Sequence, residues 1–244
     1  MDGIAWQARF RFHEGLDELL PPEKRDCQVR LPPNGDQSVK HLIESLGVPH
    51  TEVGQILVNG ADVDFGYLVR PGDEVSVYPV SSGGDAVQAG EPPRFILDNH
   101  LGRLAVYLRM LGFDALYRND IQDDELALRC NREDRILLTR DKRLLMRNLV
   151  ERGYWLRSKV PRQQLEEIVQ RFGLAPVVQP FRRCLRCNEP LQPRRKEEVL
   201  HLLEPLTRKY FDEFHICPAC GQVYWKGSHY ERMSLMIDQV LRKP

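Results

Sequence analysis

The chain has 244 residues, of which 42% are hydrophobic and 29% charged, a composition typical of a globular protein with two or three small cores. No apolar run approaches the roughly 20 residues that cross a bilayer, and the first ten residues lack the cationic start of a signal peptide. These features argue against disorder, secretion and membrane insertion, so we expect a cytoplasmic protein without a membrane partner.

The formal net charge of zero conceals a difference between two parts of the chain. Residues 1–90 contain 14 acidic and 7 basic side chains, whereas the remaining 154 residues contain 21 acidic and 28 basic ones. The excess of positive charge in the second part favours a polyanionic partner, and its ordinary alternative is a solvated surface.

The first 81 residues show the pattern of a small mixed domain. Alternation predicts strands at residues 5–12 and 27–31, a capping serine opens a helix at 38–46, and strands follow at 55–58 and 74–80. This order resembles the ubiquitin-like β-grasp proteins, especially the small sulfur carriers. We expect the domain to provide a docking surface for RNA or a protein partner.

Residues 82–93 are small and polar and end in two prolines, which predicts a linker. Sulfur carriers act through a free Gly-Gly carboxyl terminus that can be adenylated. Here Gly83 and Gly84 are followed by 160 further residues, so we expect them to belong to the linker and not to a reactive terminus.

Residues 94–180 alternate between short apolar runs and helical patterns, which predicts an α/β/α layered domain. Asp98 and Asp141 each follow an apolar strand, where the functional crevice of an open parallel sheet lies. Asp124, or the adjacent Asp123, opens a helix expected at the same edge. The ordinary alternative for each acid is a helix cap.

Carboxylates gathered at one edge repel each other unless a divalent cation neutralises them. Mg²⁺ and Mn²⁺ prefer such oxygen ligands and also bind substrate phosphate. The pattern therefore predicts metal-assisted hydrolysis of phosphodiester bonds.

Four sequence segments carry a more specific resemblance: FILDNHLGRL at 95–104, LRMLGFD at 108–114, Asp124-Glu125, and RILLTRD at 135–141. They resemble the Mut-seven C-terminal RNase family, a branch of the PIN-like nucleases, from about residue 94 to residue 232. The resemblance implies a PIN-like fold, a zinc ribbon, a preceding ubiquitin-like domain, and RNA, such as tRNA or another structured RNA, as substrate.

The resemblance also implies roles for individual residues. Asp98, Asp124 and Asp141 match the acids that bind Mg²⁺ or Mn²⁺. The basic residues expected to contact RNA are Arg103, Arg109, Arg140, Arg157, Arg183 and Arg186, and for each the ordinary alternative is a surface salt bridge.

One departure from the PIN pattern weakens the expectation of catalysis. A fourth acid or amide generally follows the next strand, whereas this chain reads Trp155-Leu156-Arg157-Ser158 there. Fewer carboxylates would weaken metal affinity, which leaves a catalytically weak or inactive RNA-binding adaptor, or a β-grasp interaction module, as alternatives.

Residues 181–244 carry two CxxC turns, Cys184/Cys187 and Cys217/Cys220, separated by 29 residues. Each turn can direct two thiolates at one metal, so the pattern predicts a structural Cys₄ zinc ribbon. Arginines near the first turn and aromatic residues such as Tyr224 and Trp225 near the second are typical of single-stranded RNA recognition. Such rings also commonly form the core of a ribbon.

Overall fold

The computed structural model describes residues 7–33, 36–81 and 92–242. The chain divides into two compact units, one made of Met1–Ser81 with Asp123–Trp155 and the other of Ser82–Gln122 with Leu156–Pro244. Gly83, Gly84 and most of the expected linker lie outside the described residues. The division into domains at 1–81, 94–180 and 181–244 stays a prediction.

The N-terminal part of the first unit is the expected β-grasp fold. Its strands are β1 (Ala8–Phe12), β2 (Val29–Leu31), β3 (Val53–Val58), β4 (Ala61–Asp62) and β5 (Glu74–Pro79), in the order β2-β1-β5-β3-β4. The central pair β1 and β5 is parallel and the other pairs are antiparallel. Helix α1 (Val39–Ser45) begins as predicted, because the Ser38 hydroxyl accepts a hydrogen bond from the His41 N–H.

Strands and helices then alternate as the sequence predicts, with one additional short strand, Ala115–Tyr117. The elements are β6 (Phe95–Leu97), α2 (Gly102–Met110), β7 (Ala115–Tyr117), α3 (Asp123–Arg132), β8 (Ile136–Thr139), α4 (Lys142–Leu145), β9 (Gly153–Trp155) and α5 (Pro161–Arg171). In the second unit β6 pairs in parallel with β7, and in the first unit β8 pairs in parallel with β9. An alternation of strands and helices favours parallel strand pairs, because the connecting helices cover the faces of the sheet.

The first unit joins the β-grasp fold to the segment from α3 to β9. Trp155 packs against the β-grasp core, and its backbone N–H donates to the buried carboxylate of Glu52 at 2.6 Å. His50 Nε2 lies 2.8 Å from the Val150 carbonyl oxygen, and the Lys142 ammonium donates to the Leu19 carbonyl. The β-grasp fold therefore shares packing and buried polar contacts with α4 and β9.

The C-terminal part of the second unit is a small three-stranded antiparallel sheet with helices. Its elements are β10 (Gln192–Arg194), α6 (Lys196–Val199), α7 (Pro205–Tyr210), β11 (Phe214–Ile216), β12 (Val223–Trp225) and α8 (Ser228–Leu241), and the strand order is β10-β11-β12. Helix α6 is followed directly by a 3-10 turn, Leu200–Leu202. Within the described residues, no helix combines the length and apolar character needed to cross a membrane.

Candidate metal centre and catalytic acids

The four cysteines of the CxxC turns come together as predicted. Their sulfur atoms all lie within 4.8 Å of one another, with 3.6 Å between Cys184 and Cys220 and 3.3 Å between Cys187 and Cys217. Tetrahedral zinc with bonds of about 2.3 Å places its sulfurs about 3.8 Å apart, so the quartet fits a zinc ion. Across residues 7–33, 36–81 and 92–242, this is the one group of three or more His, Cys, Asp or Glu residues whose ligand atoms lie that close together.

The two turns have the same backbone geometry. The N–H of Cys184 donates to the Glu189 carbonyl at 2.8 Å, and that of Cys217 donates to the Gln222 carbonyl at 3.0 Å. The residue after each second cysteine, Asn188 or Gly221, has a positive φ, 73° and 71°. A left-handed residue at this point lets the chain curl back around the sulfurs, which Gly and Asn tolerate best.

Tyr224 connects the quartet to β12. Its hydroxyl oxygen lies 3.2 Å from Cys184 Sγ and accepts the Leu185 N–H at 3.0 Å. Burial alone would raise the pKa of Cys184, but the Tyr224 hydroxyl and backbone N–H groups favour the thiolate and lower the pKa to about 6. Burial and neighbouring thiols raise the pKa of Cys187 to about 12. A thiolate already favoured at Cys184 suits a cation, and a bound cation would favour ionisation of Cys187.

Arg109 has a structural role instead of the expected contact with RNA. Its side chain is buried, and its guanidinium donates to three carbonyl oxygens: Ala115 at 2.9 Å, Leu185 at 3.1 Å and Arg186 at 2.9 Å. Leu185 and Arg186 are the two residues between the first pair of cysteines. Arg109 therefore connects helix α2 to the first CxxC turn through hydrogen bonds, and we exclude it from the residues proposed to contact RNA.

Asp98 occupies the position expected of a functional acid. It follows the fully buried strand β6 and is itself only 5% exposed. Its Oδ1 accepts the Asn99 N–H at 2.6 Å and lies 3.5 Å from His100 Nδ1. Leu101, the residue before helix α2, supplies no side-chain cap, and its N–H donates to the Asp98 backbone carbonyl at 3.0 Å. A carboxylate is costly to bury, so a buried acid at the end of a strand favours a functional role.

Asp141 follows β8 as predicted, and it also caps the next helix. Its Oδ1 accepts the Arg143 N–H at 2.8 Å at the start of α4, and the residue is exposed. A carboxylate has several acceptor positions, so this single hydrogen bond does not exhaust its capacity. Capping and metal binding are therefore compatible at Asp141.

Asp124 lies in the first turn of α3, where its carboxylate forms an ion pair with Arg147. The adjacent Asp123 approaches the same guanidinium at 3.7 Å. The side chain of Asp124 is 92% exposed and that of Asp123 is 51% exposed, so both acids remain candidates. Exposed ion pairs contribute little free energy, and a cation could replace Arg147 at low cost.

The remaining basic residues differ in their surroundings. Arg103 is exposed on α2, where its Nε donates to the Tyr107 hydroxyl at 3.2 Å. Arg183 is half-buried and donates to the Asn188 carbonyl at 2.9 Å, and exposed Arg186 lies 3.3 Å from Gln222 Oε1. Arg140 and Arg157 are half-buried.

Sequence reasoning missed the carboxylate that contacts the loop after β9. The Arg157 and Ser158 N–H groups donate to the two oxygens of Glu167 at 2.9 and 3.3 Å. Glu167 lies in α5, ten residues along the chain from Arg157, so no local motif joins the two. Both carboxylate oxygens of Glu167 accept hydrogen bonds from this loop, so Glu167 holds the loop backbone in place.

Comparison with known proteins identifies two families along the chain. The Mut7-C ubiquitin family matches residues 5–85, and the Mut7-C RNAse domain family matches residues 93–237. No curated protein matches the chain.

Two solved structures from Haloferax volcanii are similar to part of the chain. One is a crystal structure of small archaeal modifier protein 1, with 20% identity and a TM-score of 0.25, covering 31% of this chain and 98% of that one. The other is a crystal structure of SAMP1, with 23% identity and a TM-score of 0.26, covering 32% of this chain and 99% of that one. The RNase match spans more than half of the 244 residues and agrees with the motifs around Asp98 and Asp141. The chain belongs to the Mut7-C RNAse domain family, with a Mut7-C ubiquitin domain preceding the RNase domain.

Proposed function

We propose that the chain is a metal-dependent ribonuclease that hydrolyses phosphodiester bonds in RNA, including tRNA or another structured RNA, in the cytoplasm. The family supports nuclease chemistry, and one observation carries the residue assignment: Asp98 is a buried carboxylate directly after a buried strand. Asp98, Asp124 and Asp141 are proposed to hold Mg²⁺ or Mn²⁺. Their oxygen ligands match the preference of these hard cations.

The roles of the chain's own residues follow from their chemistry. A bound cation polarises the phosphoryl oxygen and lowers the pKa of the attacking water. Asp98, fixed by its backbone hydrogen bond and by β6, would hold the ion in a constant position. Asp141 would bind the ion with the lone pairs that its hydrogen bond to the Arg143 N–H does not use. Asp124 would release Arg147 and bind the ion in its place.

The basic residues would bind the RNA backbone and the cysteines would hold a structural zinc ion. We propose that Arg103, Arg140, Arg157, Arg183 and Arg186 contact phosphate groups. Four thiolates fill the coordination sphere of zinc, so the ribbon has a supporting role and no role in the chemistry.

The test is RNA cleavage by the zinc-loaded full chain, with added Mg²⁺ or Mn²⁺, using Asp→Asn variants. Asn caps a helix as well as Asp does, so Asp141→Asn keeps α4 while removing the charge. We expect Asp98→Asn and Asp141→Asn to lower the rate about 100-fold or more. The matched control is Asp120→Asn, an exposed acid paired with Arg118. Equal rates for all three variants and the parent would contradict the proposal.

A second function, a non-catalytic RNA-binding adaptor, is favoured by the local roles of two of the acids. Asp141 caps α4, Asp124 pairs with Arg147, and Arg157 and Ser158 stand where a fourth acid is expected. If the chain is an adaptor, the double variant Asp98→Asn, Asp141→Asn would keep both its RNA affinity and its cellular role. If the chain is a ribonuclease, the same variant would keep its RNA affinity and lose its cellular role. A protein partner bound through the β-grasp domain is compatible with both functions.

A further inference from the structure

The C-terminal part of the second unit contains a pocket that the proposed catalytic site does not use. Its volume is about 310 Å³, at the lower end of the range for small-molecule sites. Its walls combine aromatic rings with positive charge. The lining residues that matter most are Phe181, Arg182, Arg183, Trp225, Lys226 and Tyr230.

Aromatic rings form a wall that is not part of the ribbon's core. That core consists of Val199, Leu203, Phe214 and Val223, with Phe211 and Ile216 packed against it. The rings of Phe181 and Tyr230 pack 4.4 Å apart at 36°, and Trp225 is 38% exposed. An exposed tryptophan beside a packed aromatic pair presents a flat apolar surface to a ligand.

The backbone holds Phe181 in an unusual conformation beside this wall. Its φ is +61°, a left-handed value that bulky residues rarely adopt, and its N–H donates to the Met110 carbonyl at 3.0 Å. Strained residues of this kind persist where the surroundings fix them, and they concentrate at binding sites.

Positive charge predominates at the same pocket. Arg182, Arg183 and Lys226 line it together with a single carboxylate, Glu213. Glu213 pairs with Lys226 at 2.7 Å, and half-buried Arg183 lies 3.8 Å from the Asp114 carboxylate. Exposed Arg182 therefore leaves a net positive charge beside the rings, which suits an anionic ligand with a flat apolar portion.

The back of the pocket is built on the cysteine quartet. Tyr224 and Leu185 both line it, and the Tyr224 hydroxyl bridges the Leu185 N–H and Cys184 Sγ. A metal held by the cysteines would therefore fix this wall.

We propose that this pocket binds one unstacked nucleobase of single-stranded RNA, with the base stacked on Trp225 and its phosphate near Arg182 and Arg183. Stacking on aromatic rings beside cations is the chemistry by which proteins hold single-stranded nucleic acid. A free nucleotide offers the same base and phosphate, and the choice of RNA as the ligand rests on the proposed function. A duplex cannot present an unstacked base, so it should bind less tightly.

The test measures binding of a short fluorescein-labelled single-stranded RNA to the zinc-loaded full chain, without Mg²⁺ or Mn²⁺ so that no cleavage occurs. Parallel titrations use AMP and the same RNA as a duplex. Trp225→Ala should weaken single-strand binding about tenfold or more. Tyr210→Ala is the matched control, because Tyr210 is a 63% exposed aromatic residue of the same ribbon that does not line the pocket.

A second pair of variants tests the charge with little risk to folding. Arg182→Gln should reduce the slope of log affinity against log salt by about 0.7, the value for one single-strand phosphate contact. Arg194→Gln is the control, since Arg194 is exposed on β10 and contacts Gln192. Zinc content and circular dichroism check that each variant folds.

The outcomes separate this inference from the proposed function. An affinity for single-stranded RNA that depends on Trp225 and Arg182 supports the proposed pocket. Weaker binding of AMP than of the RNA then identifies RNA as the ligand. Binding of AMP as tight as that of the RNA identifies a free nucleotide as the ligand. Equal affinity for Trp225→Ala and Tyr210→Ala, an unchanged salt slope for Arg182→Gln, or equal binding of duplex overturns it. Binding without metal-dependent cleavage would contradict the ribonuclease and leave the pocket intact.

Discussion

Replacing Arg109 by Met tests whether this arginine supports the metal centre or contacts RNA. The change removes hydrogen bonds to three carbonyl oxygens, those of Ala115, Leu185 and Arg186. A buried acceptor that loses its partner costs about 1–3 kcal/mol. We use the lower value because Arg186 is exposed and water can reach that turn. The expected loss in the free energy of unfolding is then about 3 kcal/mol.

The same change should loosen the hold on zinc. Two of the three carbonyls lie between Cys184 and Cys187, so Arg109 fixes the first CxxC turn much as outer-shell residues fix metal ligands. Mutation of such supporting residues typically lowers metal affinity by about 10–100-fold. Arg109→Lys should recover only part of the stability, because one ammonium cannot reproduce the planar fork of a guanidinium.

Urea unfolding and competition with a zinc chelator measure the two effects. The matched control is Arg103→Met, an exposed arginine on the same helix, which should change stability by less than about 0.5 kcal/mol. Stability and zinc affinity equal to those of the control, together with weaker RNA binding, would refute the structural role of Arg109.

Three further predictions concern other parts of the chain. Glu52→Ala should destabilise the first unit by about 2 kcal/mol and increase hydrogen exchange in β9, because the Trp155 N–H loses its buried acceptor; unchanged exchange would disprove the coupling. Burial raises the pKa of the Cys130 thiol to about 11, so at pH 8 only about one thiol in a thousand is ionised, and iodoacetamide should label exposed Cys27 but not Cys130; equal labelling would contradict this. Since the folded state keeps Cys130 protonated, its contribution to stability is complete below about pH 9 and is lost as pH rises towards 11. Chelation of zinc should abolish exchange protection in β10–β12, because the cysteine quartet holds both turns; protection that survives complete removal of zinc would show that the small core suffices.

Features coded by local sequence were predictable. The Ser38 cap and both CxxC turns follow from residue preferences within a few positions. The apolar runs at β6 and β8 likewise placed Asp98 and Asp141 directly after buried strands. The RNase and ubiquitin family matches confirmed the resemblance that these motifs carried.

Features that depend on distant contacts were not predictable from one sequence. The pattern around Arg109 is that of an ordinary helix, and only its packing against the first CxxC turn explains its burial. The hydrogen bond from Trp155 to Glu52 joins residues 103 positions apart. The strand β7, which has only three residues, and the helix α8 were missed.

The contact of Trp155 with the β-grasp core also determines how the N-terminal domain should be tested. Deleting residues 1–90 would remove Glu52 and expose apolar surface on Trp155. A loss of function after that deletion would not identify a docking surface. Substitution of exposed Leu68, which is 49% accessible, tests protein binding without disturbing this packing.

Direct measurement of Mn²⁺ binding tests the central claim, that oxygen ligands of Asp98, Asp124 and Asp141 hold a divalent cation. Titration of the zinc-loaded chain, followed by electron paramagnetic resonance, counts the bound ions. We predict one Mn²⁺ site whose affinity falls about tenfold or more in Asp98→Asn and Asp141→Asn and is unchanged in Asp120→Asn. Affinity that is the same in all three variants, or no bound Mn²⁺ in the parent, would contradict it.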